Sequence, residues 1–426
     1  MNNSILKVPE HRLYKLPFRV GSKILDRCTL DAHSEFRAPK RGYLAVNVSK
    51  TAFTNGILTI IVKIEKEDAE RVYIMVKDDH LLISCSTDTD SSYMSRHAYF
   101  CLDRFLWYYN ERNFDEYYYP DFFDENGNSK YLISCKERGK FVIRFKKRYD
   151  NFFRPGMALP EVGSSVATRI PYPSPAMFCP EFSANEKVIG YCLLNPLNRN
   201  ESEMYIEYPM LIPFTATLNL AGTALRSLTT YLIPVRDQLH PELSDSQYNL
   251  NDICSEMLKI SSYYLKKQPD TISIDASDRK EILFTFWQEA LPLLLEQQFV
   301  FYQNIYHLKY IKNKPVKKDI NTCTISAAIP CLDFTLRDKG EYYIFELKFT
   351  LDKKRLNFTS SIIPRFFAAS DCNPNLFYLL GSLAEAELVS FFARINFKMP
   401  ILKAHYKEHF KTFVEQIRGI YGLREK

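Results

Sequence analysis

Cys85 and His97 are the side chains in this sequence whose types are most typical of a zinc site. A structural zinc ion needs four nitrogen or sulfur donors in a tetrahedral array. Cys101 stands one helical turn after His97 and brings the number of nearby donors to three, which is too few for a closed site. We therefore expect no bound metal here. Cys85 is then a small buried residue at a strand end, and His97 is a polar residue near a helix start.

A β-hairpin and a helix are the elements that must position these two side chains. Apolar residues alternate with polar ones over 72–76, Asp78 and Asp79 form a turn signal, and 81–85 is a second apolar run. A polar loop follows. From His97 onward the apolar residues fall at helical spacing: Tyr99, Phe100, Leu102, Phe105 and Leu106. The pattern predicts a hairpin, a loop and then a helix over 97–112. We interpret the acidic and aromatic segment that follows, residues 113–128, as a packed surface loop, with a partner-binding patch as the alternative.

This arrangement resembles a SWIM zinc finger, whose pattern is CxC, a variable loop and then CxH. Cys85 matches the first ligand and His97 the last, whereas Thr87 and Ser95 stand at the second and third ligand positions. Hydroxyl groups are poor substitutes for thiolates as zinc ligands. The resemblance therefore implies a degenerate finger in which Cys85 and His97 are the remnants of a zinc site.

Further segments resemble the N-terminal accessory region of bacterial SNF2-type helicases. They are the opening VPEHRLYKLPF, the VIGYCLL strand, the helices near 250 to 297, and the ending LFYLL to EQIRGIYG. In such enzymes this region precedes a two-lobed ATPase, and the present sequence ends before any motor. The resemblance implies a stand-alone accessory protein, a motor-less remnant, or a subunit of a motor encoded elsewhere. It carries over no catalytic residue.

Asp333, Glu346 and Lys348 have the spacing of a restriction-type nuclease core, the PD-(D/E)xK pattern. In that pattern the acids hold Mg²⁺ and the lysine orients water. Cys331 and Leu332, rather than proline, precede the aspartate, and a further strand follows the lysine where a helix is expected. Strand alternation places the three charged side chains on a solvent-exposed face, opposite the apolar residues. A Mg²⁺-dependent nuclease is therefore an alternative function.

The segment 130–156 has the composition most typical of a nucleic-acid interface. It predicts a hairpin whose second strand places Phe141, Ile143 and Phe145 on one face and basic residues on the other. Cations with aromatic stacking faces are what a groove along a phosphate backbone requires. The candidate binding residues are Lys140, Arg144, Lys146, Lys147, Arg148, Phe152 and Phe153. The alternative is an ordinary half-buried strand with its charges outside.

Other catalytic signatures are absent from the sequence. There is no GxxxxGK[ST], GxGxxG, GxSxG or HExxH motif, so nothing indicates an ATPase, a dinucleotide enzyme, a hydrolase or a metalloprotease. His405 and His409 are four residues apart without the zincin glutamate, and we interpret them as residues of an exposed helix face. We therefore predict a non-enzymatic accessory or interaction protein that binds nucleic acid or a nucleic-acid motor. The first alternative is a protein-only scaffold or a subunit of a larger assembly. The second alternative is the Mg²⁺-dependent nuclease.

Composition bounds the class of protein. The 426 residues are 46% hydrophobic and 25% charged, with a net charge of +6 that permits nucleic-acid binding without requiring it. The ten cysteines form no CxxC pair, which favours free thiols in a reducing compartment. No signal peptide and no apolar run of transmembrane length is present. We expect a cytoplasmic location, no cofactor and no membrane partner.

The alternation of strand and helix patterns predicts an α+β, multi-domain protein of β-rich hairpins and mixed sheets with packed helices and a C-terminal helix. We expect a degenerate SWIM-like β-rich domain over 1–150 and a proline-rich linker over 151–185. A mixed α/β middle domain then spans 186–298, and a β-sheet with C-terminal helices spans 299–426. In the middle domain, apolar residues at helical spacing predict helices over 249–267 and 275–298, the second kinked or divided at Pro292.

Overall fold

The computed structural model confirms an α+β protein with several sheets and a C-terminal helix. It describes residues 12–36, 44–163, 186–197, 208–232, 243–261, 276–306, 311, 315–352, 354–356, 364–370 and 373–426. Residues 164–185 of the predicted linker therefore lie outside the described residues. The chain forms two compact units. The first unit comprises 1–158, 339–343 and 399–411, and the second comprises 159–338, 344–398 and 412–426.

The elements before residue 158 are mostly antiparallel strands. In chain order they are β1 (Tyr14–Pro17), β2 (Ile24–Asp26), α1 (Arg27–Ala32), β3 (Val46–Thr54), β4 (Ile57–Ile64), β5 (Glu70–Val76), β6 (His80–Cys85), α2 (Arg96–Phe105), β7 (Glu111–Asn113), β8 (Leu132–Glu137) and β9 (Lys140–Phe145). The main sheet has the order β1-β6-β5-β4-β3, so β3 is an edge strand. Strands β2 and β7 pair separately, as do β8 and β9.

Alternation along the strands explains how this sheet packs. In β4, Ile60, Val62 and Ile64 are fully buried, whereas Ile61 and Lys63 between them are exposed. Helix α2 packs beside β3, β4, β5 and β6 and contributes Tyr99 and other buried side chains to the same core. The predicted hairpin over 72–85 and the helix that follows it are confirmed.

Helix α2 is shorter than its apolar pattern predicts. The pattern suggests a helix to about residue 112, but the helix ends at Phe105 with Leu106 as its C-terminal cap. Asn110 has a φ of 54°, a left-handed conformation that a helix does not accommodate. Residues 107–109 therefore form a turn between α2 and β7.

An aromatic cluster holds the predicted acidic and aromatic loop, residues 113–128, in the first unit. The rings of Phe122 and Phe145 are 5.3 Å apart, and those of Phe122 and Phe152 are 5.7 Å apart. Tyr117, Tyr118 and Tyr119 are also buried. The predicted packing of this loop is confirmed.

The remaining elements are runs of strands separated by helices. In chain order they are β10 (Lys187–Pro196), β11 (Met210–Leu218), β12 (Leu225–Tyr231), α3 (Asp245–Ile260), α4 (Ala276–Leu295), β13 (Val300–Ile305), β14 (Asn321–Thr322), β15 (Thr324–Ser326), β16 (Cys331–Asp338), β17 (Tyr342–Leu351), β18 (Lys354–Leu356), β19 (Phe367–Ser370), β20 (Asn373–Leu379), α5 (Leu383–Arg394), β21 (Lys398–Leu402), α6 (Lys411–Tyr421) and β22 (Leu423–Glu425). Helix α4 is continuous through Pro292. None of the described helices is long and apolar enough to cross a membrane.

Three sheets organise the second unit. One has the order β12-β11-β10-β13-β14, with β10 and β13 parallel, and α3 packs on β11. A small sheet has the order β15-β20-β19, and the last has the order β18-β17-β16-β22. On one face of the last sheet, Phe334 and Phe345 stack on each other and contact Phe392 of α5. The predicted apolar face of these strands is confirmed.

The C-terminal helix contains a π-helical turn. A short helical stretch at Lys403–His405 leads into this turn at Tyr406–Phe410, and α6 follows. Phe410, Phe413, Val414 and Ile417 are buried, as the helical spacing predicts.

Candidate nucleic-acid interface

Hydrogen bonds occupy three of the four positions that match the SWIM pattern, namely Cys85, Thr87 and Ser95. Cys85 Sγ lies 3.6 Å from Thr87 Oγ1. Ser95 is the N-cap of α2, because its Oγ accepts a hydrogen bond from the backbone N–H of Ala98 at 3.3 Å. The backbone N–H of Ser95 in turn donates to Thr89 Oγ1 at 3.1 Å. Thr89 and Ser95 thus stabilise the loop and the start of α2.

Cys101 and His97 lie close to this loop. Burial, and to a smaller extent the neighbouring Cys85, raises the pKa of the Cys101 thiol. His97 Nε2 lies 3.6 Å from Glu67 Oε2. Within the described part of the chain, no group of three or more His, Cys, Asp and Glu side chains is placed to hold a metal ion. The arrangement is that of a hydrogen-bonded knuckle.

The nuclease-like residues lie on the polar face of the sheet formed by β16 and β17. The prediction that this face carries solvent-exposed charges is wrong for Glu346, which is only 4% exposed. Lys348 Nζ lies 3.0 Å and Lys398 Nζ 3.7 Å from its carboxylate, and Arg337 also binds it. Asp333 Oδ2 lies 3.2 Å from Arg424. Each carboxylate is therefore neutralised by protein cations.

The cations around Glu346 also determine its ionisation. Burial by itself raises the pKa of this carboxyl, but the hydrogen bond from Lys348 and the charges of Arg337, Lys348 and Lys398 outweigh burial and lower it. A carboxylate surrounded by three cations is a poor ligand for Mg²⁺, because the same positive charges repel the ion. The local geometry is that of an ion-pair network.

The basic hairpin, which we define as residues 136–148, presents its cations to solvent. Strands β8 and β9 pair from Leu132↔Phe145 to Glu137↔Lys140, and Arg138 and Gly139 form the connecting turn with φ values of 49° and 79°. The exposed basic residues are Lys136, Arg138, Lys140, Arg144, Lys146, Lys147 and Arg148. The structure therefore brings together the five basic residues that the sequence singled out.

The inner face of β9 anchors this hairpin. Phe141, Ile143 and Phe145 are partly buried and pack against the core of the first unit, as predicted. Lys140 and Arg144 alternate with them and point outward. The cations are thus held on a fixed strand.

The contacts of the cations differ along the hairpin. Lys146 Nζ donates to the carbonyl oxygen of Ser129 at 3.0 Å, and the Arg148 guanidinium lies 5.7 Å from the centre of the Tyr149 ring. Arg144 pairs with Glu137. In the described part of the chain, no carboxylate forms an ion pair with Lys136, Arg138, Lys140 or Lys147. These charges remain available to phosphate groups.

Phe152 and Phe153 lie in the core and are not part of this surface. Each is 2% exposed, so neither ring is open to a base, and the prediction that they stack on nucleic acid is wrong. Phe152 packs against Tyr131 and Tyr342, and Phe153 packs against Phe410. The physical reason is that residues distant in sequence close over both rings.

His405 was also expected on an exposed face, but its side chain is 1% exposed. Its Nε2 lies 3.1 Å from the carbonyl oxygen of Pro120 and 3.3 Å from Asp121 Oδ2, while its ring packs on Phe122. His409 alone of the pair is exposed. His405 therefore joins the C-terminal helical segment to the 113–128 loop within the first unit.

Sequence reasoning missed an exposed aromatic turn. Tyr108 and Tyr109 are 85% and 83% exposed, and Trp107 is 47% exposed. The guanidinium of Arg104 lies 4.4 Å from the centre of the Trp107 ring. The available signal was three consecutive aromatic residues directly before Asn110 at the end of a helical pattern.

The positive charge of the chain is concentrated in the first unit. Its residues include 30 Lys and Arg against 23 Asp and Glu, a net charge of +7. The second unit has 26 Lys and Arg against 27 Asp and Glu, a net charge of −1, and the two sum to the +6 of the chain. The unit that carries the basic hairpin is therefore the one with the excess of cations.

Comparison with known proteins identifies no relative. No family model, no curated protein and no solved structure matches the chain.

Proposed function

We propose that this protein binds nucleic acid without catalysing a reaction, and that the basic hairpin of the first unit makes the contact. The observation that carries the proposal is the exposure of seven cations within residues 136–148, a stretch whose one carboxylate is Glu137. Clustered Lys and Arg side chains bind phosphate backbones by displacing condensed counterions.

The packing of the hairpin supports the same proposal. Its aromatic inner face fixes β9 on the core, so the backbone that carries the outward cations loses little freedom when they meet a ligand. The +7 charge of the first unit adds a longer-range attraction for a polyanion. Association with a nucleic-acid motor, which the SNF2 resemblance implies, is a further part of the proposal and has no support beyond that resemblance.

Magnesium-dependent cleavage lacks comparable support. Glu346 and Asp333 bind Arg and Lys side chains in the described structure, which accounts for the charged residues of that sheet face without a metal. A protein-only scaffold has no specific observation in its favour, and its prediction is that the exposed cations are dispensable.

A salt series tests the proposal. The full chain is titrated with labelled single-stranded and double-stranded DNA and RNA from about 50 to 200 mM salt, the range over which phosphate contacts lose most affinity. The test variant changes Lys140, Arg144, Lys147 and Arg148 to Ala, and the matched control changes Lys317, Lys318, Lys354 and Arg355, which are exposed in the second unit. Both variants lose the same charge.

We expect salt-sensitive binding by the wild type. The hairpin variant loses most of this affinity. Its plot of log K against log salt becomes less steep by about 3, because each of the four lost phosphate contacts contributes roughly 0.7 on a single strand. The control retains both affinity and slope. Absence of binding at any salt, or equal losses in both variants, would show that the hairpin is not a nucleic-acid interface.

A further inference from the structure

The turn after α2 exposes aromatic surface that folding normally buries. Tyr108 and Tyr109 are almost fully exposed, whereas the second tryptophan of the chain, Trp287, is 0% exposed in the second unit. Aromatic side chains carry a large apolar area, so three consecutive exposed rings are unfavourable unless a ligand covers them. The aromatic turn, which we define as residues 107–109, therefore has the features of a binding surface.

The chemistry of the turn fits a planar, electron-rich ligand near phosphates. Arg104 covers part of the Trp107 ring at 4.4 Å, which places a positive charge against an aromatic face. The rings of Tyr108 and Tyr109 are 6.5 Å apart and inclined at 54°, so they do not stack on each other. Their faces remain open to a partner such as a nucleobase, which stacks on aromatic side chains in a sequence-tolerant way.

The helix that precedes the aromatic turn and the second strand of the basic hairpin contact the same strand. Helix α2, which ends directly before the turn, contacts the edge strand β3, and so does β9 of the hairpin. Arg104 also donates to the carbonyl oxygen of Leu44, two residues before β3 begins. Both surfaces belong to the first unit, the one with the +7 charge.

We infer that the nucleic acid bound by the first unit is single-stranded, with its phosphates on the basic hairpin and its bases stacked on the aromatic turn. This inference rests on the proposed function. Bases in a duplex stack on one another and offer no open face, whereas single strands splay their bases onto aromatic side chains. The charge of the unit favours this polyanion over a protein partner with an apolar patch.

Tryptophan fluorescence provides a direct test, because Trp107 is half-exposed while Trp287 is buried. The full chain is titrated at low salt with a single-stranded oligothymidylate and with a duplex of the same length. Stacking on Trp107 quenches its emission, so we expect quenching by the single strand and little by the duplex. Trp107→Ala removes the quenching and weakens binding of the single strand about tenfold.

Two further variants make the test robust to misfolding. Tyr108→Ala with Tyr109→Ala alters only exposed rings and is expected to weaken single-strand binding by about the same factor. Tyr306→Ala removes a 76% exposed ring in the second unit and is expected to leave binding unchanged. Far-ultraviolet circular dichroism and thermal unfolding confirm that each variant is folded.

The possible failures are distinguishable. If the four-site hairpin variant loses binding but the aromatic variants keep it, the single-strand inference is wrong and the proposed function stands. Equal affinity for single strand and duplex also overturns the inference. If the wild type binds neither nucleic acid, both proposals fail. If the variants of the aromatic turn no longer capture a protein that the wild type captures, but bind nucleic acid with unchanged affinity, the turn is a protein-binding surface and the inference is wrong.

Discussion

Arg144 Nη1 lies 2.6 Å from Glu137 Oε1, across the two strands of the basic hairpin. Both side chains are largely exposed, at 56% and 43%, so the pair adds little to folding stability. Its main effect is electrostatic, because Glu137 is the one carboxylate among the seven cations of the stretch. The hairpin therefore contains its own competitor for phosphate.

Removing this competitor should strengthen binding. Glu137→Gln frees Arg144 and deletes a negative charge near the phosphates, so we expect about two- to fivefold tighter binding at low salt, equivalent to 1 kcal/mol or less for an exposed pair. The gain shrinks as salt screens the charges. Glu415→Gln breaks a similarly exposed pair with Arg418 in the second unit and serves as the control. Unchanged or weaker binding by Glu137→Gln would contradict the placement of the ligand.

Glu346 should contribute to stability through its cations. Glu346→Gln leaves Arg337 and Lys348 without a charged acceptor, and we expect the free energy of unfolding to fall by about 1.5–3 kcal/mol, the range for hydrogen bonds to charged groups. Urea unfolding at pH 7 measures this loss. Glu408→Gln, at a side chain that is 76% exposed, is the control.

The contribution of Glu346 should also depend on pH. Its folded pKa is lowered below the usual value for glutamate, so the stabilisation is fully present above the unfolded pKa of about 4.3 and is lost as pH falls through the folded pKa. The stability curves of the wild type and Glu346→Gln should therefore converge in acid. Curves that stay parallel down to the acid transition would refute this account of the network.

His405 is a basic residue, but it should make the folding stability depend on pH in the same direction as Glu346 does. Burial lowers its pKa, with Asp121 opposing that effect. The unfolded chain then binds a proton near pH 6.5 that the folded chain binds less readily, so stability is full above pH 6.5 and falls as pH drops below it. Urea midpoints from pH 5 to 8 should show this slope in the wild type and lose it in His405→Gln. His409→Gln, which removes only a smaller cause of the lowered His405 pKa, should retain most of it.

The SWIM resemblance can be tested by restoring the missing thiolates. Cys85 Sγ lies 3.6 Å from Thr87 Oγ1, close to the separation of about 3.8 Å between two sulfurs on a tetrahedral zinc with bonds of about 2.3 Å. We expect the double variant Thr87→Cys and Ser95→Cys to bind Co²⁺ with thiolate charge-transfer absorption, at some loss of the N-cap. The wild type is the control. A folded double variant that binds no Co²⁺ would mean that the hairpin does not have the finger geometry.

Local patterns predicted much of the secondary structure. The hairpins over 72–85 and 132–145 follow from alternation, and α3 and α4 from helical spacing, because these signals depend on neighbouring residues. The position of the basic side chains on the outer face of β9 was predictable for the same reason. Alternation fixes which side of a strand each residue faces.

Burial of particular side chains could not be predicted in this way. Phe152 is covered partly by Tyr342, and Glu346 is paired with Lys398, so each depends on a residue far away in the chain. The sequence likewise contains no signal that residues 339–343 and 399–411 belong to the first unit. The exposure of Tyr108 and Tyr109 follows from the early end of α2, a boundary that helical spacing leaves uncertain by several residues.

Photo-crosslinking of the full chain to a single-stranded oligonucleotide containing 5-iodouracil tests most directly whether the basic hairpin contacts nucleic acid. Mass spectrometry of the digested complex locates the crosslinked residues, and the hairpin variant with four alanines is the control. We predict crosslinks to peptides within 131–154 and to the aromatic turn, all lost at high salt and in the variant. Crosslinks confined to the second unit, for example around Asp333 and Glu346, or none above background, would contradict the account.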